Sequence, residues 1–232
     1  MANNQTISSP ATKIKLLDKR ILDLLDNILD HQVIAQQLLT HCLLQIGDNL
    51  YRLLEIEYYD LDDPYTHKDA TQYIPNRWYF HRKGGTYKGL DITCKNGSFL
   101  LRAIQDITSK EIIEGPSLVV DHLLATLNYE NVQELRDDFT HPAQRNTTFR
   151  INWSELRDDI IYTSRRVGIN PPDSPREDEE KRKEYAAMRR RYLVAPDLLK
   201  KGRKLVVEDL KSDGIQKSEL MKIFKTTNGR FL

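Results

Sequence analysis

The sequence predicts a mixed α+β fold, and three stretches carry the prediction. Tyr51 to Tyr59 alternates with the period of two of a half-buried strand. Lys95-Asn96-Gly97 separates Leu90–Thr93 from Ser98–Ile104 and has the Asn-Gly signature of a β-hairpin. Ile14, Leu17, Ile21, Leu24 and Ile28 recur as a helical stripe with a heptad-like repeat, flanked by Leu25 and Leu29. One chain therefore holds both periodicities.

Taken in order, residues 1–12 are polar and read as a disordered N-terminus. Thr12 opens an amphipathic helix over residues 13–31. Its repeat is short, so a helix packed on its own domain, and hence a monomer, is expected over a dimerising helix. Gln32–Leu39 reads as a short helix, Cys42–Ile46 as a strand and Gly47-Asp48-Asn49 as a turn into the central strand. Pro116 is placed for a first helical turn. Asn131–Asp138 is a second short helix, Phe149–Trp153 a strand and Ile160–Ile169 another. Pro171-Pro172 and Pro175 break the pattern, and the charged run that follows reads as a solvated helix laced with local ion pairs. Leu198–Leu210 and Lys217–Lys225 close the chain as two helices.

Composition excludes several classes. The 232 residues carry 35 basic and 34 acidic side chains, a net charge of +1, so any basic surface must come from local clustering. No apolar run reaches the ~20 residues that span a bilayer. The first residues lack the apolar core of a signal peptide. Cys42 and Cys94 have no metal or redox spacing. Together these lead us to expect reduced thiols and an intracellular setting, cytoplasmic or nuclear.

Tyr51 to Arg102 concentrates the chemistry. On the central strand Leu54, Ile56 and Tyr58 are assigned to one face, and Leu53, Glu55, Glu57 and Tyr59 to the other. Two carboxylates in aromatic company are either solvated and salt-bridged or held in a pocket that tunes one as a base. Asp60 to His67 is an acidic loop with Pro64. Arg77 to Lys83 follows as a basic, aromatic loop. Arg102, inside an apolar strand, calls for an anionic partner.

These motifs, in this order, resemble the alkyladenine (3-methylpurine) DNA glycosylase family. The matching elements are Glu57-Tyr58-Tyr59, His67, the basic loop, Leu100-Leu101-Arg102-Ala103 and Gly115-Pro116-Ser117, with weaker echoes at Arg166-Val167-Gly168 and Arg190-Arg191-Tyr192. The resemblance spans residues 32–196, with 171–191 as an insertion and 197–232 as a helical extension. It implies a curved, mostly antiparallel sheet flanked by helices in one domain, and hydrolysis of an N-glycosidic bond without a metal or other cofactor. It further implies Glu57 as the base that activates water, Arg102 as its charge partner, and His67 and Tyr59 as pocket walls, with Asp91 and Tyr87 nearby. Arg77, Arg82 and Lys83 of the basic loop would meet a DNA or nucleotide-like partner, and, on charge alone, the uncompensated end of the charged run at Arg189, Arg190 and Arg191 is expected to meet phosphates.

Three departures shape the expected substrate, one of them a loop between Tyr59 and His67 that is more acidic and differs in length by about one residue. The hairpin that carries an intercalating Tyr in that family is shortened here, with Gly85 to Gly89 running almost directly into the strand. Asp91 stands where the family has a pocket Asn, and would favour a base edge with amino groups or positive charge. Single-stranded nucleic acid or a nucleoside is therefore expected over intact duplex. The rival expectations are a silent binding module of the same fold and a metal-dependent hydrolase using Glu55, Glu57, Asp60, Asp62 and Asp63.

Overall fold

The computed structural model describes residues 17–83, 86–145, 147–169 and 178–227, without the side chains of Lys83 and Tyr87. The N-terminus expected to be disordered, the expected turn at Gly84-Gly85 and the first part of the 171–191 insertion lie outside these residues.

Two Asp caps divide the expected N-terminal helix. Asp18 accepts from the Arg20 N–H at 3.0 Å and starts α1 (Lys19–Asn27). The chain leaves helical geometry at Ile28, and Asp30 accepts from the Gln32 N–H at 2.8 Å to start α2 (His31–His41). An Asp carboxylate satisfies an orphan N–H better at a cap than in mid-helix, so Asp30 restarts the helix instead of continuing it. Ile21, Leu24 and Leu25 of α1 are buried in the chain's own core, while Leu29 is exposed. Burial of each such side chain contributes about 1.5–3 kcal/mol.

The strands follow as β1 (Cys42–Ile46), β2 (Asn49–Asp60), β3 (Trp78–Lys83), β4 (Thr86–Cys94), β5 (Gly97–Asp106) and β6 (Ile112–Glu114). Helices α3 (Pro116–Leu127) and α4 (Val132–Asp138) precede β7 (Phe149–Trp153) and β8 (Tyr162–Ser164). The chain ends with α5 (Glu179–Ala187), β9 (Arg191–Leu193), α6 (Arg203–Ser212) and α7 (Lys217–Ile223). The stretch read as a basic loop is thus the strand β3. The strand expected over Ile160–Ile169 is shorter, because only Tyr162–Ser164 finds a partner, in β9.

The fold is α+β, a single domain with one curved antiparallel sheet of nine described strands and helices around it. Its axis is the long pair β2–β5. The other edge of β2 is shared by β1 and β9, and that of β5 by β4 and β6. The hairpin between β4 and β5 presses on β2 so closely that a Cβ at Gly97 would lie 2.2 Å from the Tyr59 carbonyl oxygen. Only glycine fits that approach.

The β2–β5 register slips twice, leaving Leu54 and Arg102 without an opposite residue. Such a bulge resets which face a side chain takes. Leu53 and Ile56, three positions apart, therefore both enter the hydrophobic core with Leu54 and Tyr58. The expected grouping of Leu53 with Glu55 and Glu57 is corrected by this slip. The C-terminal helices are part of the same core through Val206, Val207, Leu210, Leu220 and Phe224.

Candidate functional site

The face of β2 and β5 turned away from the hydrophobic core is also buried, and it is charged. Glu55, Glu57, Arg102 and Arg191 are each less than a tenth exposed. Arg102 Nε donates to Glu55 Oε1 at 2.6 Å, and Arg191 Nε donates to the same oxygen at 2.8 Å. Arg191 Nη1 and Nη2 each donate to a carbonyl, of Gly202 (2.9 Å) and Lys201 (3.0 Å). Gly202 lies at φ 67°, and a Cβ there would sit 2.7 Å from Arg191 Nη1, so glycine makes room for the guanidinium. Two carboxylates and two guanidiniums thus neutralise each other out of water, which is the condition for tolerating buried charge.

Glu57 is held differently. Its Oε1 accepts from the Val167 N–H at 2.6 Å, and its Oε2 from the Tyr59 hydroxyl at 3.1 Å. Arg102 approaches only to 3.4 Å. Burial raises the Glu57 carboxyl above the ordinary range, and Glu55 adds to the rise, while Arg102, the Val167 N–H and Arg191 oppose it. Burial and neighbouring Glu57 push Tyr59 well above the usual phenol range, so its hydroxyl is a neutral donor. The Tyr59 ring also carries the Arg166 guanidinium at 4.3 Å from its centroid. Arg166 is itself buried and donates to Asp63 Oδ2 at 2.5 Å.

Tyr59 opens onto a cleft of about 160 Å³ lined by His67, His81 and Leu100 among others. That is the scale of a cavity that accepts one aromatic ring. His67 bonds the Tyr79 hydroxyl at 3.2 Å and meets His81 edge to face at 5.0 Å. His67 also lines a second, more polar cleft of about 530 Å³ with Lys68, Tyr79, Arg82 and Arg136.

The structure brings Glu57, Arg102 and Tyr59 together, and of these Tyr59 lines the cleft on which His67 also lies. Asp91 is placed differently from expectation. It is fully buried, with Oδ1 against His81 Nε2 at 2.5 Å and Oδ2 accepting from Ser98 at 2.5 Å, so neither oxygen is left for a ligand. The Tyr87 and Lys83 side chains lie outside the described residues. Arg82 lines the second, larger cleft and not the one beside Tyr59. Arg77 is diverted: its Nη1 contacts the Asn76 carbonyl at 3.0 Å and His141 at 2.6 Å.

The expectation that the Arg189–Arg191 end is uncompensated and meets phosphates is overturned. Arg189 pairs with Asp213, Arg190 donates to Asp60 at 2.6 Å, and Arg191 is 0 % exposed on Glu55. A guanidinium so engaged is already neutralised inside the fold. The acidic loop is neutralised by the same means, since Asp60 faces Arg190 and Asp63 faces Arg166. Among the described residues no group of three or more His, Cys, Asp or Glu is arranged to hold a metal. Both Cys42 and Cys94 are buried free thiols, pushed up by burial to about 12. No described helix is long and apolar enough to cross a membrane.

Sequence reasoning missed His81 and the Val167 N–H. The first was signalled by Trp78-Tyr79-Phe80-His81, whose period of two sends Trp78 and Phe80 to the core and leaves Tyr79 and His81 opposite. The second has no local signal, because a backbone N–H can be placed only by tertiary contact.

No family model matches the chain. It is similar to "Uncharacterized protein L759" of Acanthamoeba polyphaga mimivirus, 28% identical over 208 residues that cover 76% of this chain and 91% of that protein.

Proposed function

We propose that the chain hydrolyses an N-glycosidic bond and releases a base from nucleic acid or a nucleoside, as its resemblance to alkyladenine DNA glycosylases implies. The observation that carries this reading is Glu57: a fully buried carboxyl with raised proton affinity, one tyrosine hydroxyl removed from a ring-sized cleft. A general base works best when its pKa approaches the working pH, and burial supplies that shift. In the proposed step Glu57 takes a proton from water, the water oxygen bonds to the sugar carbon, and the carbon–nitrogen bond breaks towards the base. Arg102 balances the charge on Glu57, and Tyr59 and His67 flank the base.

The substrate we propose is single-stranded or unpaired. The net charge of +1 gives little general attraction to a phosphate backbone, and the Arg189–Arg191 run is consumed internally. A second reading, a silent binding module of the same fold, is favoured by one observation: Glu57 is 0 % exposed with both oxygens engaged. The test is base release from one modified residue placed in single-stranded, mismatched and fully paired DNA, beside the nucleoside. Release that is fastest from the single strand and lost in Glu57→Gln supports the proposal. Fastest release from the paired duplex rejects the substrate preference, and binding without release from any substrate establishes the silent module.

A further inference from the structure

Asp91 was expected to face the base as an acceptor, yet the side chain that reaches the cleft is His81. Asp91 holds His81 through Nε2, while Ser98 holds Asp91 from behind. The His81 side chain remains 17% exposed and lines the cleft beside Tyr59, His67 and Leu100. Its Nδ1 has no hydrogen-bond partner among the described residues. Space for the ring is built into the opposite strand, where Gly89 pairs with His81. A Cβ on Gly89 would stand 3.3 Å from His81 Nδ1 and 2.8 Å from Leu100 Cδ1.

We infer that His81 determines which bases the cleft takes, donating from Nδ1 to an acceptor atom on the base edge. The inference rests on the base-release reading above and specifies its substrate class. A charged imidazolium with Nε2–H committed to Asp91 presents Nδ1–H as a donor. It therefore selects neutral bases that offer a carbonyl oxygen or an unprotonated ring nitrogen, and disfavours bases that already carry positive charge. This reverses the preference that an exposed Asp91 would have imposed.

The protonation state is set by identifiable groups. Burial alone lowers the His81 pKa, but the charge and hydrogen bond of Asp91, with a further contribution from Glu57, outweigh it and leave the net shift upward. Among the described residues, the ionisable groups facing the ring are Asp91 on β4, Glu57 and Tyr59 on β2, His67 in the loop after β2 and Tyr79 on β3 itself. Loss of the His81 proton at higher pH converts Nδ1 from donor to acceptor, so selectivity for neutral bases should fade as pH rises.

The experiment compares release of hypoxanthine and of cationic 7-methylguanine from the same single-stranded oligonucleotide, as a function of pH. In His81→Gln we expect hypoxanthine release to fall on the order of ten- to hundred-fold, while release of cationic 7-methylguanine, freed of the repelling imidazolium, holds or rises. Asp91→Asn keeps similar hydrogen bonds but removes the charge, and should move the alkaline limb for hypoxanthine down by about a pH unit or more. Equal effects on both bases, or none, overturn the inference. Glu57→Gln should suppress both substrates, so its failure rejects the base-release reading and not the role of His81. If the wild type releases neither base, NMR of the His81 ring decides: a shift of its resonances with inosine but not with 7-methylguanosine supports the inference. A shift with both, or with neither, overturns it.

Discussion

Glu55 and Glu57 lie on the same buried face of β2, yet they end in different chemical states. Glu55 gives one oxygen to two guanidiniums, at 2.6 and 2.8 Å. Glu57 receives its shortest bond from a neutral backbone N–H at 2.6 Å and meets Arg102 only at 3.4 Å. Burial therefore dominates Glu57 and raises its carboxyl. One carboxylate is clamped as part of the frame, and burial raises the proton affinity of Glu57. Two adjacent acids on one face can thus be divided between architecture and chemistry by the number and distance of the cations opposite them.

The largest effect should come from the clamp. Arg191→Ala leaves Glu55 with Arg102 alone as counter-charge and orphans the Lys201 and Gly202 carbonyls, and removing one member of a buried ion pair costs roughly 3–5 kcal/mol. Arg102→Ala should destabilise by a similar amount and also abolish base release. Urea denaturation measures both, and an unchanged midpoint for either would break the distinction drawn between the two acids. Glu55→Gln is no neutral control, because it leaves two buried guanidiniums short of a counter-charge.

Glu57→Gln should lower base release on the order of a hundred-fold or more, since the amide keeps the shape and loses the basicity. Its stability should move the other way. A carboxyl with a folded pKa above its unfolded value stabilises the fold in acid and loses that contribution as pH rises through the folded pKa. The variant should therefore match or exceed wild-type stability near neutral pH and lose that advantage towards pH 4. Thermal unfolding across this range checks the sign, and a variant markedly less stable at pH 7 would mean that Glu57 is as structural as Glu55.

A smaller effect is expected from the His81–Asp91 pair, whose histidine keeps some exposure. His81 has a raised folded pKa, so its contribution is complete below about pH 6.5, the ordinary histidine value, and is lost as pH climbs through the raised value. Comparing wild type with His81→Gln by thermal unfolding from pH 6 to 9 should show the gap narrowing with pH. A gap independent of pH would show that the pair acts by packing alone. The smallest effect belongs to Arg189→Ala, where the side chain is about a third exposed against Asp213, and under ~1 kcal/mol is expected. A larger loss in the same denaturation assay would extend the clamp to the surface.

The parts of this arrangement written in local pattern were legible. The alternation at Tyr51–Tyr59 became β2, Asn96-Gly97 became the β4–β5 turn, and Pro116 opened α3. Glu57 and Arg102 stood out because charged groups in apolar strands need partners. What could not be read depended on partners distant along the chain. The bulge that moves Leu53 into the core is a property of paired strands, not of β2 alone. Arg191 read as an exposed basic cluster because Glu55, its counter-charge, lies 136 residues away. Asp91 read as a pocket acceptor because nothing local shows that His81 and Ser98 occupy both its oxygens. In β3 the signal was present, but basic and aromatic residues masked a plain period of two.

The bond from Arg191 to Glu55 also sets the order in which the molecule can mature. Glu55 has left the ribosome long before Arg191 is made, and the Val167 N–H that binds Glu57 is 110 residues downstream of it. Until those partners arrive, Arg102 alone faces the two acids of β2, and the strand's polar face must stay hydrated. Closing such long loops carries an entropic cost that is recovered only when the distant contacts form, which slows folding. The same contacts make the tail of the chain a quality gate. A product truncated before Arg191 keeps much of the apolar sheet yet lacks one of the two guanidiniums that neutralise Glu55 and Glu57, and it should be recognised by its sensitivity to proteolysis.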